Sequence, residues 1–333
     1  MDRRKSVNHR LLGILYFSAV VVIWISCSVM AELWLDDVKL IDNNSLFVSF
    51  VGQLSLVLFL FPTIYKAYQF KQMETKQAMA FFGKQREAFD VALRLALILN
   101  GGNYFYNKGF LMGYQVSCDF IFSTTPTWVY LLSIIPNILP EGVKVDARKS
   151  KIALVFTTML GVWFISFDDL SRGTEMFTGD MYSLFAAVFY AIYAVGLGVL
   201  VKSDDFEFGS FLGFVGVINC LITLPLLFVL HWQNIEIFEM PPAKELYLLF
   251  IYSLLCSLLT EYFWAKTATL LGATFSTVAY TLVTLPIGVL IDYLVVDNNQ
   301  GLTQIYLVGV VLVVFSFLGI SWLMDPEPEF VLT

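Results

Sequence analysis

Five ionisable residues lie inside or at the ends of long apolar runs: Arg94, Lys108, Asp119, Glu261 and Lys266. A charged side chain at the centre of a bilayer costs about 2.5–3.5 kcal/mol on insertion scales, so each is a candidate for a solute or ion pathway. Simpler roles remain open for them. Arg94 and Lys266 stand near predicted helix ends and could extend to the interface, and Lys108 with Asp119 could form a structural pair.

Aromatic residues accompany these charges at short spacing. Tyr104 and Tyr106 precede Lys108, and Tyr262 and Trp264 precede Lys266. Together with Trp24 they could form a stacking surface for a ring-containing solute, or equally an interfacial belt or helix-packing contacts.

The composition of the chain indicates that these charged and aromatic residues lie in a membrane protein. Of the 333 residues 58% are hydrophobic and only 14% are charged, and the mean hydropathy is +0.74. Such a chain is too apolar for a soluble globule, so it is predicted to be an all-α polytopic membrane protein in contact with lipid. The basic residues sit in short loops and form no stripe, which excludes nucleic acid as a partner.

A bilayer core needs about 20 apolar residues per helix, and the chain supplies about ten such spans. They are predicted at 11–33, 45–65, 88–110, 115–136, 152–168, 179–201, 208–231, 245–265, 270–293 and 303–324. The stretch from Lys66 to Glu87 is predicted to be a cytoplasmic connecting loop. Lys and Arg concentrate before the first span and after the second and fourth, so both tails, 1–10 and 325–333, are predicted to be cytosolic.

The two halves of the chain resemble each other. Tyr104-Phe105-Tyr106-Asn107-Lys108 matches Tyr262-Phe263-Trp264-Ala265-Lys266, and each is followed by a short turn and a span with a proline, Pro126 or Pro286. Gly13 with Tyr16 likewise matches Gly179 with Tyr182. Because a repeat of five spans reverses direction, residues 11–168 and 179–324 are predicted to form two inverted five-helix repeats.

The sequence lacks the motifs of several enzyme classes. The sequence has no GxxxxGK loop for ATP, and neither GxSxG nor HExxH. His9 and His231 lie at membrane edges, so no metal site, cofactor or catalytic residue is predicted, and the chain is not expected to be an enzyme. The four cysteines, Cys27, Cys118, Cys220 and Cys256, are expected to be small buried residues without a disulfide.

The stretch SLLTEYFWAKTATLLGATFSTVAYTLVTLPIGVLIDYL, from Ser257 to Leu294, resembles the F subfamily of solute-carrier family 35 and its fungal vacuolar and thiamine-related relatives. These belong to the drug/metabolite transporter superfamily. Agreement extends to VVIWISCSVMAEL, GDMYSLFAAVFYAIYAVGLGVLVK and FLGFVGVINCLITLPLLFVLHW. The resemblance implies a ten-helix fold of two inverted five-helix repeats, a central cavity and location in an endomembrane, either Golgi or vacuole and lysosome.

The resemblance also indicates where a solute binds. The family's aromatic-x-aromatic-Ala-Lys/Arg element falls on Tyr262, Trp264, Ala265 and Lys266, with Glu261 where Asp is more usual, and its Tyr-Asn falls on Tyr106 and Asn107. Asp119 departs from an uncharged stretch in the relatives, so the substrate is not carried over. The eight candidate solute-binding residues are Lys266, Glu261, Tyr262, Trp264, Lys108, Tyr106, Asn107 and Asp119.

The leading hypothesis is a secondary or facilitative transporter that moves a small organic solute by alternating access. Cationic residues would suit phosphorylated or carboxylated solutes, whereas the carboxylates would favour an amine or proton coupling, and the sequence does not decide between them. The alternative is a non-transporting membrane scaffold or sensor with the same fold. Association of two copies into a homodimer is also left open.

Overall fold

The computed structural model describes residues 3–30, 45–69, 75–113, 115–135, 149–201, 206–234, 238, 240–271 and 303–322. The predicted ninth span with Pro286 lies outside this part of the chain, except for its first two residues. The predicted C-terminal tail also lies outside it.

The described residues are almost entirely helical. In chain order they are α1 (Arg3–Met30), α2 (Ser45–Leu56), α3 (Leu60–Gln69), α4 (Thr75–Met112), α5 (Gln115–Phe122), α6 (Thr125–Ile134), α7 (Lys149–Arg172), α8 (Thr174–Leu200), α9 (Phe208–Trp232), α10 (Ala243–Ser253), α11 (Thr260–Leu271) and α12 (Gln304–Trp322). A 3-10 turn, Val57–Phe59, joins α2 to α3, and a π-helical turn, Leu254–Leu259, joins α10 to α11.

These helices make the chain a polytopic membrane protein. Four stretches are long and apolar enough to cross a bilayer: Ser45–Gln69, Met176–Leu200, Phe208–Trp232 and Ala243–Leu271. Shorter apolar helices occupy Leu11–Cys27, Ile152–Asp168 and Gln304–Ser316. Large apolar side chains such as Phe156, Leu221 and Phe228 are exposed, as expected for a surface that faces lipid rather than water.

Two predicted loops are wrong. Residues 75–87 are not a loop but the first turns of α4, which runs for 38 residues. At 1.5 Å per residue this helix is about 57 Å long, so it extends well beyond a hydrocarbon core of about 30 Å. Lys, Gln, Ala, Met and Glu in this stretch favour helix despite their polarity. Likewise the residues between the predicted spans 152–168 and 179–201 are not a loop, because α7 and α8 continue through them and only Gly173 separates the two helices.

Pro126 does not bend a continuous helix but begins a second one. The predicted fourth span breaks at Ser123 and Thr124, and Pro126 stands in the first turn of α6, where its missing N–H costs nothing. At the break, three successive hydroxyls donate hydrogen bonds to backbone carbonyls of the preceding turn. Ser123 donates to Phe120 O at 2.6 Å, Thr124 to Ile121 O at 2.7 Å and Thr125 to Phe122 O at 2.6 Å. The Ser/Thr run therefore satisfies carbonyls that would otherwise be exposed in hydrocarbon.

Buried amides connect the helices of the interior. Asn219 of α9 donates to Gln53 of α2 at 3.0 Å, and Asn100 of α4 donates to the hydroxyl of Thr223 in α9 at 3.0 Å. Leu56, Leu99 and Phe211 fill the apolar core around them. Because buried amides need partners of fixed geometry, these pairs set the register of α2 and α4 on α9.

The expectation for two of the four cysteines is wrong. Cys27 of α1 and Cys256 of the π-helical turn form a disulfide across a sequence separation of 229 residues, with Cα atoms 5.9 Å apart. Cys118 and Cys220 are free thiols. Sequence spacing could not reveal the pair, because only the packing of α1 against this turn brings the two residues together.

Alkylation of the denatured protein tests this bond. We expect N-ethylmaleimide to modify two cysteines without reductant and four after reduction, because Cys27 and Cys256 are protected as a disulfide. Intact mass gives the count, and peptide mapping should place the first two adducts on Cys118 and Cys220. Four adducts without reductant would contradict the pairing.

Candidate functional site

Tyr190 of α8 lies between two equivalent positions of the sequence repeat. Its hydroxyl hydrogen-bonds Asn103 Oδ1 of α4 and lies 3.4 Å from Glu261 Oε1 of α11. Asn103 and Glu261 stand 158 residues apart, the same offset that relates Lys108 to Lys266. A tyrosine hydroxyl has one hydrogen to donate, so it serves the amide oxygen or the carboxylate at any one time.

A row of aromatic rings connects Tyr190 to a second carboxyl group. The ring of Phe122, the last residue of α5, lies 5.1 Å from the ring of Tyr190 and 4.7 Å from that of Tyr106. The Tyr106 hydroxyl donates to Asp119 Oδ1 at 2.8 Å. These side chains are half-buried, so they present an aromatic wall with a carboxyl group at each end. We call Asn103, Tyr106, Asp119, Phe122, Tyr190 and Glu261 the central cluster.

Trp264 joins this cluster through Tyr193. The fully buried Tyr193 stacks on Trp264 with ring centroids 5.7 Å apart, and its ring contacts that of Tyr190 edge-on at 6.5 Å. Trp264 follows Glu261 by three residues, which places the indole and the carboxylate on neighbouring parts of one helix face.

Three other predicted site residues contact different helices. Lys266 Nζ lies 4.6 Å from the centre of the Phe208 ring at the start of α9, in a cation–π contact. Tyr262 stacks on Phe59 at 5.4 Å. Asn107 donates to the Ser49 hydroxyl of α2 at 2.8 Å. The structure therefore assembles Tyr106, Asp119, Glu261 and Trp264 but not Lys266, Tyr262 or Asn107 into this surface.

The two lysines lie on other helix faces than the central cluster. At about 100° per residue, Lys266 stands about 140° around α11 from Glu261, and Lys108 stands about 140° around α4 from Asn103. Lys108 is half-buried. Arg94 is exposed on α4, in agreement with its alternative role at the interface.

Sequence reasoning missed Asn103, Phe122, Tyr190 and Tyr193. A signal existed for two of them. Asn103 occupies the position equivalent to Glu261, and Tyr190 stands 166 residues after Trp24, the same offset that relates Gly13 to Gly179. Phe122 and Tyr193 have no comparable pattern, since their places depend on how α5 and α8 pack.

The same contacts recur in the two halves of the molecule. α1 packs along α11, and α8 packs along α4. Tyr16 stacks on Phe263 at 5.7 Å, and the equivalent Tyr182 stacks on Phe105 at 6.0 Å.

The glycines of the repeat make equivalent contacts as well. A Cβ added at Gly13 would lie 2.7 Å from Leu271, and one added at Gly179 would overlap Gly113, the position equivalent to Leu271. Both glycines therefore mark a close helix approach at the same place in each half.

Among the described residues no group of three His, Cys, Asp or Glu side chains is arranged to hold a metal ion. The central cluster offers carboxylate and amide acceptors, the two hydroxyl donors of Tyr106 and Tyr190, and ring faces. This set of groups can bind a solute.

No family model matches the chain. Over 176 residues it is 29% identical to solute carrier family 35 member F5 of Mus musculus, a match that covers 52% of this chain and 33% of that protein. The matched region thus spans about a third of the length of that relative.

Two yeast proteins match over nearly their full length. The thiamine-repressible mitochondrial transport protein THI74 of Saccharomyces cerevisiae is 21% identical, with 93% of this chain and 91% of that protein covered. An uncharacterized vacuolar membrane protein of the same organism is also 21% identical, with coverage of 95% and 91%. The resemblance to family 35 and its fungal relatives is therefore confirmed, and two of these three relatives are named for transport.

A solved structure, described only as the crystal structure of a protein, shares the fold. Its TM-score is 0.52 at 14% sequence identity, and the alignment covers 94% of this chain and 96% of that one. At this identity the match supports the arrangement of helices along almost the whole chain and nothing about the solute.

Proposed function

We propose that this protein is a secondary or facilitative transporter of a small organic solute, which binds at the central cluster and is exposed alternately to the two sides of the membrane. Residues 11–168 and 179–324 would form the two inverted five-helix repeats, and no catalytic step is involved. The name of the relative in solute-carrier family 35 supports the class of protein.

The observation that carries this proposal is that Tyr190 joins equivalent positions of the two halves. Asn103 and Glu261 lie on α4 and α11, which each pack against the first helix of the other half. In an inverted repeat, a group that contacts equivalent positions of both halves lies near the pseudo-twofold axis that relates them. Inverted-repeat transporters bind their solutes there, because rocking of one half against the other exposes that place to each side.

The broken helix α5–α6 supports the same proposal. Discontinuous helices at the membrane midplane are typical of transporter binding sites. Phe122, at the break, contributes its ring to the central cluster. The π-helical turn Leu254–Leu259 ends two residues before Glu261, and such turns occur often at functional sites.

The location proposed for the protein is an endomembrane with both termini in the cytosol. The distribution of basic residues between loops supports the orientation. One full-length relative is a vacuolar membrane protein, whereas another is a mitochondrial transport protein, so the proposal of Golgi, vacuole or lysosome rests on the family resemblance.

Uptake into vesicles that contain the purified protein tests the role assigned to Lys266. We expect Lys266→Ala to lower the rate of solute uptake several-fold without loss of folding, because the ammonium group would no longer bind the Phe208 ring where α11 meets α9. That contact joins α9 to α11, the helix that carries Glu261, so its loss would loosen the helix that presents this carboxylate to the central cluster.

The matched control is Lys244→Ala, which removes an exposed lysine at the start of α10 in the same membrane crossing. This control should transport at the rate of the unaltered protein. Unchanged uptake by Lys266→Ala would remove Lys266 from the mechanism. Binding of solutes without flux in the unaltered protein would favour a sensor over a transporter.

A further inference from the structure

We infer that the solute of the central cluster is an organic cation: a ring-bearing amine or ammonium compound whose positive charge binds Glu261 and whose ring lies against Tyr190 and Trp264. This inference rests on the proposed function and adds the charge and class of the solute. The sequence left that choice open, because acidic and basic residues occur together in both repeats.

Glu261 provides the charge that such a solute would need. In the described part of the chain its carboxylate contacts the Tyr190 hydroxyl at 3.4 Å, and no Lys, Arg or His reaches it within ion-pair distance. A carboxylate inside a membrane protein is costly unless a positive charge compensates it. A bound cation would supply that compensation, and its departure would leave Tyr190 as the remaining partner.

The nearby lysine is directed elsewhere. Lys266, five residues after Glu261, places its Nζ over the ring of Phe208 on α9. Glu207, the residue before Phe208, is close enough for its charge to act on Lys266. The ammonium group is thus held by α9 and its preceding residue rather than by Glu261.

The segment between α11 and α12 adds no positive charge either. Residues 272–302 contain Asp292 and Asp297 but no Lys, Arg or His. These residues can therefore add only negative charge, or none, to the surroundings of Glu261. Neither the described residues nor this segment place a positive charge beside Glu261, and its carboxylate would repel an anionic solute.

Aromatic faces complete the fit to a cation with a ring. Tyr190 and Trp264 flank Glu261, and the buried Tyr193 stacks behind Trp264 at 5.7 Å and holds the indole in place. A positive charge within about 6 Å of a tyrosine or tryptophan face is attracted by the ring, and more strongly away from water. Phe122 extends this surface toward Asp119, the second carboxyl group of the central cluster.

Binding to the purified full-length protein tests the inference with solutes that share a ring and differ in charge. One series is tryptamine, indole-3-acetamide and indole-3-acetate, and the other is phenethylamine, phenylacetamide and phenylacetate. We expect both amines to bind at least about tenfold more tightly than the amide or carboxylate of the same series, because an ion pair in a low-dielectric site is worth more than 1.4 kcal/mol.

Substitutions of Glu261 test whether its charge causes the preference for amines. Glu261→Gln keeps the size of the side chain and removes the charge, so it should weaken amine binding about tenfold while amide binding stays the same. Glu261→Asp should keep the order of preference. The control Asp90→Asn, which removes an exposed carboxylate from α4, should bind all six compounds as the unaltered protein does.

The inference is overturned if carboxylates or amides bind as tightly as the amines, if Glu261→Gln binds the amines normally, or if neither amine binds at millimolar concentration. These results are separable from failure of the proposed function. Vesicle uptake of anionic or neutral solutes without amine binding would contradict only the inference about charge. Tight amine binding without flux of any solute would contradict only transport.

Discussion

Tyr190→Phe is expected to lower the rate of solute uptake at subsaturating concentration by about 10–100-fold. The substitution removes one oxygen atom, and with it the one hydrogen bond that the hydroxyl donates to either Asn103 or Glu261. A hydrogen bond to a charged group contributes about 1.5–3 kcal/mol, and neither acceptor could then be served. The measurement is initial uptake into vesicles that contain equal amounts of folded protein.

Tyr182→Phe provides the matched control for that result. It removes a hydroxyl from the same helix, two turns before Tyr190, at a half-buried ring that stacks on Phe105. Because stacking needs only the ring, uptake should remain within about twofold of the unaltered protein. Equal losses in the two variants would show that Tyr190 contributes packing rather than a connection between the halves.

Gly179→Ala is expected to destabilise the protein strongly. A Cβ at this position would overlap the backbone N and Cα of Gly113 and would lie 2.9 Å from Gly109 O. Backbone atoms cannot rotate aside, so α8 must move away from the end of α4. Overpacking of this kind lowers the free energy of unfolding by about 1–3 kcal/mol, and we expect a loss at the upper end of that range. The measurement is the apparent unfolding temperature, which should fall.

The pseudo-equivalent substitution Gly13→Ala supplies the comparison. There the added Cβ would meet the side chain of Leu271 at 2.7 Å, and a leucine side chain can shift to another rotamer. Gly13→Ala should therefore lower the unfolding temperature clearly less than Gly179→Ala. Equal losses, or a larger loss for Gly13→Ala, would contradict the packing described for the two halves.

In the described part of the chain the positions of the apolar helices could be predicted, because a helix that crosses a bilayer needs a run of about 20 apolar residues. The match between Tyr104–Lys108 and Tyr262–Lys266 also led directly to α4 and α11. Composition could not reveal that Thr75–Glu87 continues α4, since the same polar residues serve in loops and in exposed helices. Nor could it show that the Ser/Thr run before Pro126 ends one helix and begins another.

The candidate site was predicted in part. A charge or aromatic residue at an unusual place in an apolar run could be recognised, so Tyr106, Asp119, Glu261 and Trp264 were found. Tyr190 was not chosen because a tyrosine among many aromatic residues is common, and its importance comes from the two helices that α8 meets. Contacts between elements distant in sequence, including the Cys27–Cys256 bond, need the packed structure.

The central claim is that the aromatic wall at Phe122 faces each side of the membrane in turn. A single free thiol at this position, Phe122→Cys with Cys118 and Cys220 replaced by Ser and the Cys27–Cys256 disulfide kept, can be labelled by a membrane-impermeant maleimide from either side of oriented vesicles. Our account predicts labelling from both sides, with a bound solute protecting the cysteine from each. Labelling from one side only under every condition would contradict alternating access at this site.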